Sequence, residues 1–377
     1  MHPPLQANNI NLKHLKSLLL GTSAFVCLAL AAPVLAADFT ITSGATTNDG
    51  NTINGNDSVT VTGALVTTGV NEGIDTTGGT NTVSVSEAGS IETAGGGAFG
   101  IFNNGGGNAT TVSGKVETAG NSAYGIFNFG DDNETIISGS IETAGNNAYG
   151  IYNLGVGDET TLSGSIETAG VGAYGIFNTG GGNETTFSGS IETAGGAAYG
   201  IFNGGGDGNA TTVSGSIKTR GLLGDGIFNS GDGNVTTVSG SITTTGDIAR
   251  GILTIGDSNQ TNFSGSITTT GDTGHGITNF GDSNQTNFSG SIKTTGDNGH
   301  GISNFGDNNK TTISGSITTT RDTGHGIFNF GDSNQTTVSG IMKTGGNLAY
   351  GIYNRGDDNT TTISGTVSAT GTDASAL

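Results

Sequence analysis

From Leu65 onward one unit recurs at a fixed interval, and that period restricts the fold more than any other property of the chain. Aligned on "GSIETAG", its isoleucine slot is filled by Ile91, Val116, Ile141, Ile166, Ile191, Ile217, Ile242, Ile267, Ile292, Ile317, Met342 and Val367. Successive positions lie 25 residues apart, except for one 26-residue step where "GGGDGN" carries an extra residue. A second apolar slot sits four residues earlier, from Val112 to Ile363, and a third follows the glycine of "GIFN" or "GIYN", from Ile101 to Ile352. Thr, Val, Phe and Tyr surround these anchors, and Gly, Asn, Asp and Ser separate them, which is the pattern of short strands divided by turns. No window carries the i, i+3, i+4, i+7 apolar spacing of a helix. A propeller blade needs about 40 residues for its four strands. The period therefore predicts an all-β chain: a single-stranded parallel β-helix of about 13 coils of 25 residues, with three short strands per coil. Stacked at about 4.8 Å per coil, it would be a rod on the order of 60 Å long.

In such a rod, residues one period apart become neighbours along the axis. Two asparagine series, Asn103 to Asn354 and Asn108 to Asn359 (with Asp158 substituting once), then read as ladders. Asparagine tolerates left-handed corners, and stacked amides can hydrogen-bond along the axis. The second series also spells N-x-Thr glycosylation acceptors such as Asn108-Ala-Thr. Its regular place at one corner favours the ladder.

The first 36 residues are different. Lys13, His14 and Lys16 precede an apolar run ending at Val34-Leu35-Ala36, the layout of a signal peptide cut before Ala37. Gly21, Thr22, Ser23 and Pro33 interrupt the run, which disfavours a membrane anchor. The expected division is a signal peptide over 1–36, an N-terminal capping segment over 37–63 and the solenoid over 64–377. Cleavage would remove every proline and the only cysteine, Cys27. The exported chain would then hold together by packing and backbone pairing rather than disulfides. Its net charge, −20 before cleavage, argues against nucleic-acid partners, against anionic membrane surfaces and against membrane insertion of the mature chain.

Candidate sites follow from the ladders. His275, His300 and His325 share one slot, filled elsewhere by Phe99, Tyr124, Tyr149, Tyr174, Tyr199, Asp225, Arg250 and Tyr350. They are the candidate metal ligands, but adjacent imidazoles do not provide zinc's tetrahedral closure, and a solvated ladder is the expected reading. The "GDSN"-type turns at Asp131, Asp232, Asp257, Asp282, Asp307, Asp332 and Asp357 resemble Ca²⁺-binding β-roll turns. Those repeat every nine residues, so ordinary Asx turns are expected, with Ca²⁺ the only cofactor left open. Glu92, Glu117, Glu142, Glu167 and Glu192 should face outward beside the inward isoleucines and splay into solvent. Thr243, Thr268 and Thr318 continue that face, but Lys293 and Lys343 interrupt the flat threonine array that ice binding needs. Phe102, Phe127, Tyr152, Phe177, Phe202 and Phe228 should form an outward aromatic stripe, either exposed and suited to a glycan or protein or covered by a glycine-rich loop. Carboxylates arranged in ladders, scattered arginines and the absence of nucleophile, zincin or P-loop motifs argue against an enzyme.

Together the "SGSIETAGNNAYGIYN" units, the signal peptide, the acidity and the cysteine-free repeat region resemble the passenger region of Gram-negative autotransporters and related surface adhesins, over residues 38–377. The resemblance implies a secreted or cell-surface structural or adhesive β-helix. Its partner would be a protein or glycan on a host or neighbouring cell. Such proteins typically end in a C-terminal translocator barrel. No alternating amphipathic strands of that kind follow the repeats before Leu377, so a truncated or split gene, or another route to the surface, is expected. An uncapped last coil would leave a strand edge open to end-to-end self-association.

Overall fold

The computed structural model describes residues 39–42, 45–47 and 51–377, and the expected signal peptide lies outside them. The described chain is a β-solenoid without helices, built from three parallel sheets of 14, 14 and 13 strands. Every strand pairs with its counterpart one coil away and with nothing else in its sheet. A typical coil comprises the strands Glu159–Leu162, Ser165–Thr168 and Ile176–Asn178, one in each sheet. Register is kept residue for residue: Ile141 lies beside Ile166, and Ile166 beside Ile191. Within 37–63, the segment expected as a cap, strands Phe39–Ile41 and Ser58–Val61 pair with each other in the first sheet.

Strand alternation decides the core. In the second sheet Ile166 and Thr168 point inward and Ser165 and Glu167 outward; in the third, Ile176 and Asn178 point inward and Phe177 outward. The isoleucine slot is buried from Ile91 to Met342, and Leu65 is buried with it. Val112, Ile137, Leu162 and Phe187 fill the second slot, and Ile101, Ile126, Ile151 and Ile176 the third.

Half of the interior is polar, and the coil repeat satisfies it. Inward Thr168 donates its hydroxyl to the carbonyl of Ala173 at 2.6 Å. Asn153 donates through Nδ2 to Oδ1 of Asn178 at 2.7 Å and to the Thr160 hydroxyl at 3.1 Å. This first asparagine series therefore runs inside a strand rather than at a corner. The second series does turn the corner into the first sheet: the backbone N–H of Asn108 donates to Oδ1 of Asn133, and its Nδ2 donates to the Gly105 carbonyl. The left-handed residue there is the one preceding the asparagine, for example Asp132 (φ 58°) or Ser258 (φ 58°). With side chains this buried and their amides occupied, Asn108 and Asn133 are closed to a glycosyl transferase in the folded rod.

Two positions break the ladders. Asp158 stands in the corner series, where burial pushes its carboxyl up to about 6 against the pull of hydrogen bonds from Asn133 and Gly155. Thr254 stands in the interior series, and its hydroxyl finds no partner. At the far end the last strands, Thr360–Ile363 and Thr366–Ala369, expose residues that lie inward elsewhere, with Ile363 at 41%.

Candidate functional site: the outer face of the third sheet

The third sheet differs from the other two in what it turns outward. Its strands, with the residue that follows the three-residue ones, present two outward positions per coil. The first holds Phe102, Phe127, Tyr152, Phe177, Phe202 and Phe228, then Leu253, Thr278 and Ser303, then Phe328 and Tyr353. In-register pairing stacks these rings: Phe102 on Phe127 at 5.1 Å, Phe127 on Tyr152 at 4.9 Å, and Phe177 on Phe202 at 4.8 Å. The expectation offered two states, an exposed stripe or one covered by a loop. The rings are instead half-buried, covered by each other and by a second ladder at the preceding corner.

That second ladder is Phe99, Tyr124, Tyr149, Tyr174 and Tyr199. Its rings also stack along the axis, with Tyr124 on Tyr149 at 4.8 Å, and meet the first ladder edge to face, with Tyr149 on Tyr152 at 5.4 Å and 82°. Ring faces are thus spent on other rings and only edges reach solvent. Edge-to-face and offset contacts of this kind add about 0.5–1.5 kcal/mol per pair beyond burial. Burial raises the hydroxyl pKa of Tyr149 and of Tyr199, the latter to about 12, so both stay protonated at neutral pH.

The corner ladder changes chemistry halfway. Asp225 and Arg250 follow Tyr199, with Arg250 Nη1 at 3.8 Å from Asp225 Oδ2 and the Arg250 N–H donating to Asp225 Oδ1 at 2.6 Å. Burial outweighs the guanidinium and pushes the Asp225 carboxyl up to about 7. His275, His300 and His325 come next, stacked at 4.7 Å. Each Nδ1 accepts the backbone N–H of the next coil: His300 N–H to His275, His325 N–H to His300, and Tyr350 N–H to His325, all at 3.0 Å. The ring protons therefore sit on Nε2. The expectation of a solvated ladder is corrected here, because the rings are largely buried. Burial lowers His275 to about 3, with Arg250 adding to the effect. It lowers His300 to about 2, where the flanking histidines contribute, and His325 to about 4.

A depressed histidine binds its proton in the unfolded chain before it does in the fold. The stability it contributes is present above about pH 6.5 and is lost as pH falls through the folded values. Asp225 has the opposite sign and loses stability as pH rises from about 4 towards 7. Thermal melts of the full chain should therefore be compared with those of a His275→Tyr, His300→Tyr, His325→Tyr variant. The wild-type midpoint is expected to drop faster between pH 6.5 and 4, and parallel curves would refute the assignment.

The second outward position of the third sheet was not anticipated. It holds Phe129, Leu154, Thr179, Gly204, Ser230, Ile255, Phe280, Phe305 and Phe330. In several coils it compensates the first position. A Cβ on Gly204 would lie 2.8 Å from the Phe202 ring, which already lies over that residue. Where the first position shrinks to Thr278 and Ser303, Phe280 and Phe305 occupy the second, stacked at 4.7 Å. Thr278 and Ser303 are fully buried, and their hydroxyls have no partner. The signal in the sequence was this reciprocal size change two residues apart.

The glutamates lie on a different face. Glu92, Glu117, Glu142, Glu167 and Glu192 stack in register on the second sheet. They do not all splay into solvent: Lys115 Nζ bridges Glu117 at 2.9 Å and Glu142 at 3.0 Å, and Arg220 pairs with Glu192. The "GDxN" aspartates act as Asx ladders, with Asp257 Oδ1 accepting the N–H of Asp282 at 2.7 Å and Asp282 Oδ1 that of Asp307 at 2.7 Å. Among the described residues no group of three or more His, Cys, Asp or Glu side chains is placed to hold a metal ion. No protein-family model, curated protein or solved structure matches the chain.

Proposed function

We propose that the chain is an exported, surface-displayed structural or adhesive rod of the autotransporter-passenger type, which acts by presenting faces rather than by catalysis. What supports this reading is that its polar, charged and aromatic groups are spent on ladders. A histidine, asparagine or turn aspartate bonds chiefly to its counterpart one coil away, which favours a rigid spacer with repetitive surfaces over a reacting centre. The signal-peptide layout of residues 1–36 supports export. The alternative, a carbohydrate- or Ca²⁺-binding module on the Glu or aromatic ladders, draws less support, because stacking on a sugar needs ring faces that here cover one another.

The test is made on the protein in its own cells. Mass spectrometry should find an N-terminus at Ala37, and protease added to intact cells should remove the rod. Loss of the gene should weaken attachment to surfaces or to other cells. A chain that keeps Met1 and is protected inside the cell would overturn the reading.

A further inference from the structure

We propose that the outer face of the third sheet is a lateral docking surface for a second copy of this chain. Between Phe102 and Phe330 the outward positions of this sheet carry no charged side chain. The other two sheets turn charge outward, Glu134, Glu159 and Glu184 on the first and the Glu92–Glu192 ladder on the second. In a chain of net charge −20, the third sheet is thus the face on which two copies can meet while their glutamates stay in solvent.

The face is largely apolar, with the Arg250 and Arg355 guanidinium groups over the Phe280 and Phe330 rings at its C-terminal part. Phe129, Leu154, Ile255 and Phe330 are 48, 39, 41 and 43% exposed, and Phe280 and Phe305 lie in the same row. The Phe202 ring lies over Gly204 in the middle of the strip, and Thr278 and Ser303 are fully buried beside Phe280 and Phe305 further along. Phe102 to Phe328 spans nine coil spacings, so a strip of that length and about 12 Å wide covers roughly 500 Å² per copy, or about 1,000 Å² in a pair, the size of a weak, reversible interface. Apolar surface of this extent is often a binding surface. Aspartate rows flank the strip in its C-terminal half, with Asp272 and Asp297 on one side and Asp282 and Asp307 on the other. Pairing there brings like charges near one another at the rim, so association should strengthen as salt screens them. The pairing does not depend on where the rod is displayed.

Sedimentation of the full chain is expected to show a concentration-dependent monomer–dimer equilibrium that shifts towards dimer at higher salt. A Phe129→Lys, Ile255→Lys, Phe330→Lys variant should keep the wild-type circular dichroism and melting midpoint while its dissociation constant rises about a hundredfold. Ile136→Lys with Val235→Lys alters two residues of similar exposure (38 and 40%) on the first sheet and should leave the dimer intact. A monomer at all concentrations overturns the proposal, and so does a monomer that cosediments with phosphatidylcholine vesicles. Association that survives the triple variant, or grows beyond dimers, also overturns it and points to the open coil end instead.

Discussion

Asn178→Leu is expected to destabilise the central coils by about 2–4 kcal/mol and to lower the melting midpoint of the rod. Asn178 accepts from Asn153 Nδ2 and donates to Asn203 Oδ1, both at 2.7 Å, and to the Thr185 hydroxyl at 3.2 Å, all in the dry interior. Leucine fills a similar space but leaves Asn203 Oδ1 without its donor and weakens Asn153. Each buried group so orphaned costs about 1–3 kcal/mol. Because each coil touches only its neighbours, the damage should be local. Hydrogen exchange at Ile151–Asn153 and Ile201–Gly204 should quicken first, and exchange at Ile327–Phe330 should stay slow. Thr254 is the natural counterpart of this variant, so Thr254→Asn should move stability the other way by about 1 kcal/mol. Unchanged exchange next to Asn178→Leu would mean the ladder is ornamental.

Gly164→Ala should be at least as damaging, although it adds a single methyl. A Cβ at Gly164 would lie 1.9 Å from the Gly139 carbonyl oxygen and 2.7 Å from the backbone of Ser138. The clash cannot be relieved by a side-chain rotation, because the obstacle is main chain. The same carbonyl accepts the Ser165 N–H at 2.9 Å. Opening the coils far enough for the methyl gives up pairing on both sides of the corner, at a cost of about 3 kcal/mol or more. Urea denaturation should show the loss. A midpoint within error of wild type would mean that the corner relaxes more freely than the packed backbone allows.

Much of this fold was legible without coordinates. The 25-residue period placed Ile141 beside Ile166, and alternation alone assigned the inward isoleucines and the outward glutamates. The asparagine ladders were legible as ladders, because any polar residue repeated once per coil must meet itself. Their details were not. The interior placement of Asn103 and its relatives, and the left-handed residue before Asn133 rather than at it, depend on how each corner turns.

The candidate site divided along the same line. That Phe102 to Phe228 form one row, and that His275, His300 and His325 share another, follows from period and alternation. These are one-dimensional rules, and the sequence satisfies them by itself. Whether two rows touch each other is a different kind of fact. The edge-to-face packing of Tyr149 on Tyr152 and the burial of the three imidazoles follow from the angle between corner and sheet. So does the way Phe202 lies over Gly204. Sequence periodicity determined who stacks on whom along the axis. Only the tertiary structure decided what lies side by side around it, because contacts across a corner depend on backbone angles and ring rotamers that no repeat spacing encodes.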